Sequence, residues 1–291
     1  MVPQIKNGIL NIDKPQGITS HDVVDIVRKI FPGIKVGHTG TLDPIATGIL
    51  PICIGKATKL SDELLSENKV YKVKMLLGVE TDTYDITGKI VFANTLNEDE
   101  IYIKERIKRF IGKSSQIPPI YSAIKIKGKK AYEYARNGEN VSLKPREIEI
   151  FNIDDIDVNL RKRQVSFVVS CTKGTYIRSL VHDIGIKLGC GATMIELKRL
   201  KTGDFDINDS IDLYEFLNLE YLDMLDKIVS IEELYRDSKK INLKDKDYDK
   251  FLNGIAIKTD VPNGIVRVYE NLRYKGLGKV NENLLKRFII E

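Results

Sequence analysis

Residues 164–189, QVSFVVSCTKGTYIRSLVHDIGIKLG, hold a strand followed closely by a helix, and the fold reading grows outward from them. Residues 164–171 are dense in Val, Phe and Ser, the composition of a pleated, partly buried strand. From Thr175 the period changes: Ile177, Leu180, Val181, Ile184 and Leu188 recur at helical spacing, and Gly189 stands where a helix can end in a left-handed residue. Upstream, residues 70–77 set Tyr71, Val73, Met75 and Leu77 against Lys72 and Lys74, which predicts a half-exposed strand. Residues 8–12 and 49–54 read as short strands, and 14–17 as a turn. Ser20 reads as the N-cap of a helix carrying Val23, Val24, Ile26, Val27 and Ile30, and residues 98–111 as a further helix. Residues 31–48 are rich in Gly and Pro and predict a long loop, of a length that usually carries function. Downstream, 265–269, 274–280 and 284–290 read as three short strands. Strands and helices mix without a βαβ rhythm, so the class expected is α+β.

The 291 residues suffice for two domains and a core that needs no staples. Three widely spaced cysteines, Cys53, Cys171 and Cys190, form no CxxC, and His21, His38 and His182 form no HxxxH or HExxH pair. No metal site and no disulfide framework are therefore expected. Gly55-Lys56-Ala57 follows Gly48 at the wrong distance for a P-loop, and Gly276-Leu277-Gly278 lacks the third glycine of a dinucleotide site, so no cofactor is expected. Asp13, Lys14 and Pro15 interrupt any apolar core near the start, and no run of about eighteen apolar residues occurs. The expected address is the cytoplasm, with no membrane partner.

Charge divides the chain more than its net value of +5 suggests. Residues 121–146 carry Lys125, Lys127, Lys129, Lys130, Arg136, Lys144 and Arg146 against Glu133 and Glu139, with Tyr121, Tyr132 and Tyr134 among them. A basic strip interleaved with aromatics suits a phosphate-rich partner that carries bases, although such runs are more often plain solvated surface. Residues 204–237 reverse the balance and read as the end of the first domain.

The richest segment is Gly37-His38-Thr39-Gly40-Thr41-Leu42-Asp43-Pro44-Ile45-Ala46-Thr47-Gly48. Pro44 disfavours the helical conformation at Asp43, and the glycines admit close approach by main chain or ligand. A carboxylate held rigidly in such a loop can be a nucleophile or general base; it can equally be the anchor of an Asx turn, and the residues alone leave both open.

Together, KPQGITS at 14–20 and GHTGTLDPIATG at 37–48 resemble the TruB family of tRNA pseudouridine-55 synthases. The likeness continues through Lys69-Val70-Tyr71, Thr81-Asp82-Thr83, QIPPIYSA at 116–123, KGTYIRSL at 173–180 and Leu197-Lys198-Arg199. The resemblance implies a pseudouridine-synthase-like α+β fold: a mixed, largely antiparallel sheet flanked by helices over residues 1–234, with a small β-rich PUA-like RNA-binding module at 235–291. It implies isomerisation of one uridine in the tRNA T-stem-loop, with Asp43 catalytic and Arg178 paired to it. Tyr71, Tyr176 and Leu197 would enclose an extruded base, and His38 would stack where that base leaves. Lys14, Lys125, Lys129, Lys130, Arg136 and Arg199 would contact RNA, the middle four on a flap at about 121–147. Tyr84 stands where some members carry Gly. Neither an obligate protein partner nor an oligomer is implied. A base-excising glycosylase and a non-enzymatic RNA chaperone are the rival readings.

Overall fold

The computed structural model describes residues 7–95, 97–139 and 141–291. Its main element is an eleven-stranded mixed sheet, counted among the described residues, and it is largely antiparallel. The path runs Ile211–Asp212, Gly8–Lys14, Thr47–Ile54, Ala192–Thr202, Lys69–Leu77, Gln164–Cys171, Arg146–Asn159 and Gly112–Gln116. Its two halves meet where Thr47–Ile54 runs parallel to Ala192–Thr202, and they pair there through only two residues, Lys198 with Thr47 and Arg199 with Gly48. The segment that would carry chemistry enters the sheet at this narrow seam.

Side-chain alternation decides which way each strand faces. In Lys69–Leu77 the residues Tyr71, Val73, Met75 and Leu77 are buried, as their alternation predicts, and pack with Ile177, Leu180, Val181 and Ile184 of the Ile177–Leu188 helix. That helix ends at Gly189 with φ 73°, the left-handed conformation Gly adopts at no steric cost. In a separate core, Val23, Val24 and Val27 of the Ser20–Ile30 helix cover Leu10, Ile12, Leu50 and Ile52. The opposite faces of the same two strands, through Ile9 and Cys53, meet Leu277 and Ile289 of a second, five-stranded sheet.

That second sheet orders Lys240–Leu243, Gly264–Glu270, Arg273–Asn281, Leu284–Ile290 and Ile257–Lys258. Three of its strands match the expectation; the two edge strands are too short and too polar to show as alternation. The acidic segment 204–237 is no bare linker. Its Leu213, Phe216, Met224, Leu225 and Ile228 pack against the first strand, and the acids ride outside. The stretch 31–48 is likewise not all loop, since Val36–His38 pairs with Thr47–Ile54.

Ser20 is not the cap expected of it. Thr19 caps the helix: its hydroxyl accepts from Asp22 N at 3.0 Å while Asp22 accepts from Thr19 N at 2.7 Å. Thr19→Ala is expected to destabilise the fold by about 1 kcal/mol, read from the midpoint of urea unfolding at constant slope. Ser20, freed from that task, turns inward, where its buried hydroxyl accepts from Leu42 N at 2.8 Å and donates to Leu42 O at 3.2 Å.

Candidate active site

Residues 40–48 form an arch over the sheet seam, entered and left by glycines with φ 102° at Gly40 and φ 100° at Gly48. Its crown is held from four sides. Ser20 grips Leu42, and Gly17 N donates to Pro44 O at 2.8 Å. Gly48 N donates to Asp13 Oδ1 at 3.0 Å, and Ala46 N closes a turn onto Asp43 O at 3.0 Å. A carboxylate on such a support has little freedom to relax, which is what a reacting group needs.

Asp43 meets Arg178 in a two-point charge-assisted pair, Nη2 to Oδ1 at 3.0 Å and Nε to Oδ2 at 2.8 Å. Arg178 stands on the 177–188 helix with its side chain only 6% exposed, while a third of the Asp43 side chain (33%) stays open to the cavity. The arginine is itself fixed: it donates to Tyr121 O at 2.9 Å and Thr83 O at 3.2 Å. On its far side lies Asp85 Oδ2, 3.7 Å from Nη1. The cavity walls strip water from the Asp43 carboxyl and push its pKa up, the Asp85 charge pushes the same way, and the Arg178 charge pulls back.

Asp43, Tyr71, Tyr176, Arg178, Leu197 and Arg199 all line one cavity of about 660 Å³. Tyr71 and Leu197 project from neighbouring antiparallel strands, where Leu197 pairs with Val73 and Arg199 with Tyr71. Phenol ring and aliphatic side chain thus reach the same space from adjoining strands. Tyr176 is set by Gln116, whose side chain accepts from Tyr176 N at 2.8 Å and donates to Tyr176 O at 3.1 Å. The pocket is roomy enough to admit a nucleoside and mixes charged groups with apolar side chains.

His38 stands outside that lining. It ends the Val36–His38 strand half-buried, and burial pushes its pKa down. Lys125, Lys129, Lys130 and Arg136 also lie outside, exposed on a small hairpin and the Ala131–Arg136 helix. There Lys130 and Arg136 lie over the ring of Tyr132, 5.5 and 5.3 Å from its centre, and Tyr132 itself faces the cavity.

Two of the expected RNA contacts need correction. Lys14 is fully buried and donates to Pro15 O at 2.9 Å and Ile18 O at 2.8 Å, and burial draws its ammonium down to about 8. Arg199 is 1% exposed, and its guanidinium donates to Ile49 O and Gly40 O. Neither presents a charge to a phosphate at the surface, because both stand at inward-facing strand positions whose main-chain surroundings supply acceptors.

Asp85 and Ser20 are the residues the sequence reading missed. The alternation Thr81, Thr83, Asp85, Thr87 was the available signal for Asp85: its carboxylate accepts from Thr83 Oγ1 at 2.9 Å and Thr87 N at 2.9 Å, a side-chain turn of the Asx kind. Within it Tyr84 adopts φ 62°, the left-handed region that favours glycine, and its ring stacks on His182 at 3.9 Å.

Among the described residues no helix is long and apolar enough to cross a membrane, and no group of His, Cys, Asp and Glu could hold a metal ion. A family model described as TruB family pseudouridylate synthase (N terminal domain) matches residues 28–177. One described as tRNA pseudouridylate synthase B C-terminal domain matches 178–234. Proteins named tRNA pseudouridine synthase B are similar along nearly the whole chain. That of Clostridium tetani is 47% identical, covering 94% of this chain and 95% of its own. That of Aquifex aeolicus is 40% identical, covering 98% and 100%. Among solved structures, a chain of a Cbf5-Nop10-Gar1 complex superposes with TM-score 0.70 at 28% identity, covering 98% of this chain and 84% of that one. A chain of an H/ACA RNP bound to a substrate RNA containing 2'-deoxyuridine superposes with TM-score 0.69 at 26% identity, covering 99% and 84%.

Proposed function

The chain belongs to the TruB family of pseudouridylate synthases, and from that premise we propose how it acts. It isomerises uridine to pseudouridine in tRNA: the bond from uracil N1 to ribose C1′ breaks, C5 bonds to C1′, the C5 proton leaves and N1 gains one. Atoms and electrons balance without an outside reductant or phosphate donor.

The target is uridine 55 in the T-loop, everted from its stack into the cavity. Extrusion costs on the order of a few kcal/mol, and stacking on Tyr71 returns roughly 1–3 kcal/mol, with Leu197 closing the other face. Asp43 is the reacting carboxylate, Arg178 keeps it ionised and aimed, and Tyr176 closes the pocket. His38, neutral at physiological pH because burial disfavours its charge, acts as a wedge in the RNA rather than an acid. The observation that carries this reading is the two-point Asp43–Arg178 pair at the foot of a pocket walled by Tyr71 and Leu197.

We divide the chain at 234/235 into a catalytic domain and a PUA-like module. Residues 238–291 hold twelve Lys and Arg against seven Asp and Glu, the whole of the net +5 charge, which favours this module as an electrostatic anchor for tRNA. We propose that the chain works as a monomer without a protein partner, in contrast to the Cbf5 chain of a Cbf5-Nop10-Gar1 complex. The cytoplasm, where tRNA is matured, is the compartment that fits.

The flap bearing Lys125, Lys129, Lys130 and Arg136 closes on the T-stem-loop. Lys129→Ala with Lys130→Ala is expected to weaken tRNA binding and to flatten its dependence on salt by about two in the log–log slope, since two phosphate contacts are lost. An unchanged slope in filter binding over a salt series would place these lysines off the RNA. Mass spectrometry separates the glycosylase reading: isomerisation leaves the RNA mass unchanged, and excision releases uracil.

A further inference from the structure

Arg199 is an expensive residue to bury. It is 1% exposed, and among the described residues no carboxylate pairs with it. A permanently charged guanidinium out of water is costly unless every donor finds work, and an apolar side chain of that length would suit stability better. Its donors go instead to the arch. Nε donates to Ile49 O at 2.8 Å and Nη2 to Gly40 O at 3.3 Å, so one side chain reaches the main chain on both sides of Asp43.

The main chain of Arg199 joins in. Gly48 lies so close that an added Cβ would stand 2.2 Å from Arg199 O and 2.6 Å from its N, and Arg199 pairs across the strands with both Gly48 and Tyr71. The Arg199 charge also acts on the Tyr71 hydroxyl, pulling against the burial that raises its pKa. Reacting carboxylate and stacking ring are thus referred to a single buried charge.

We propose that Arg199 is a positioning residue for the isomerisation: by tying together the main chain on both sides of the 40–48 arch from the strand position paired with Tyr71, it fixes where Asp43 stands relative to the bound base. The inference rests on Asp43 and Tyr71 having the roles given above.

The test compares wild type, Arg199→Lys and Arg199→Met on an unmodified tRNA transcript. Three quantities are read: the single-turnover rate at saturating enzyme, the Kd over a salt series, and the melting temperature. Arg199→Met is expected to slow the rate about 100-fold, the effect of a misplacement near 1 Å, and Arg199→Lys about tenfold, since a single ammonium cannot span both carbonyls. Kd should stay within about twofold and the salt slope should not change, because no phosphate contact is lost. A merely structural residue would lower the melting temperature and leave the rate per folded molecule intact well below it, which would overturn the proposal. So would weaker binding with a salt slope flatter by about one, the mark of a phosphate contact. Should Arg199→Met fail to fold, Arg199→Lys carries the same comparison. In each of these cases wild type still converts the transcript. Failure of wild type itself would sink the functional reading and this proposal with it.

Discussion

Replacing Asp43 by Asn is expected to lower pseudouridine formation by about 10⁴-fold or more, the upper end of what one positioned proton-transfer group contributes, while leaving tRNA affinity within a few-fold of wild type. Asn is nearly isosteric and can still accept one bond from Arg178 through its carbonyl. The partner it abandons is not stranded, because Arg178 retains Tyr121 O, Thr83 O and Asp85. The arch is held by Ser20, Gly17, Asp13 and Arg199 through main-chain atoms that the substitution does not touch. Loss of turnover with binding intact therefore reports the carboxylate and not the fold. The RNA-chaperone reading makes the opposite forecast: a variant with undiminished activity in a tRNA refolding assay, beside a wild type that modifies nothing.

For Arg178→Lys the expected loss is about 100-fold in single-turnover rate with little change in Kd, because the ammonium offers a point charge where the guanidinium offers a fork. Arg178→Met shows the sign of the electrostatics. In wild type, burial raises the Asp43 pKa and the Arg178 charge lowers it. Removing that charge leaves burial and Asp85 opposed only by the weaker pull of Lys14, so the carboxyl holds its proton to higher pH. Activity that requires the ionised form is lost as pH falls through that pKa, and the acid limb of the rate profile should move to higher pH in the variant. A limb that stays in place, or moves to lower pH, would mean that Asp43 does not react as the carboxylate. Equal losses in rate and affinity for Arg178→Lys would instead make Arg178 an RNA contact.

Much of this arrangement is legible in the sequence, for reasons that differ by residue. The strand bearing Tyr71 announces itself because Val73, Met75 and Leu77 must face a core and Lys72 and Lys74 need not, so the period of two is written in the residue types. The loop around Asp43 stands out because Pro44 and the glycines exclude regular structure. Arg178 was legible only through family likeness: an arginine on an amphipathic helix ordinarily points to solvent, and nothing local says that this one turns inward to meet residue 43.

Lys14 and Arg199 mislead for the same reason in reverse. Charge in a sequence reads as surface, whereas both residues spend their donors on main-chain carbonyls, partners that no side-chain pattern records. Ser20 was placed one residue away from its true work. The spacing Thr19 to Asp22 fits the reciprocal cap as well as Ser20 fits a lone one, and only the fold, by bringing Leu42 over residue 20, decides between them. In each case the sequence carries the residue type and the tertiary contact carries its meaning.

The most direct measurement is to incubate an unmodified tRNA transcript with the wild-type chain and with Asp43→Asn, then locate pseudouridine by carbodiimide adduct mapping at nucleotide resolution. One new stop in the T-loop, at uridine 55, present with wild type and absent with the variant, is the expected result. A stop that survives in Asp43→Asn, or a wild-type lane with none, would contradict the assignment of that carboxylate to the reaction.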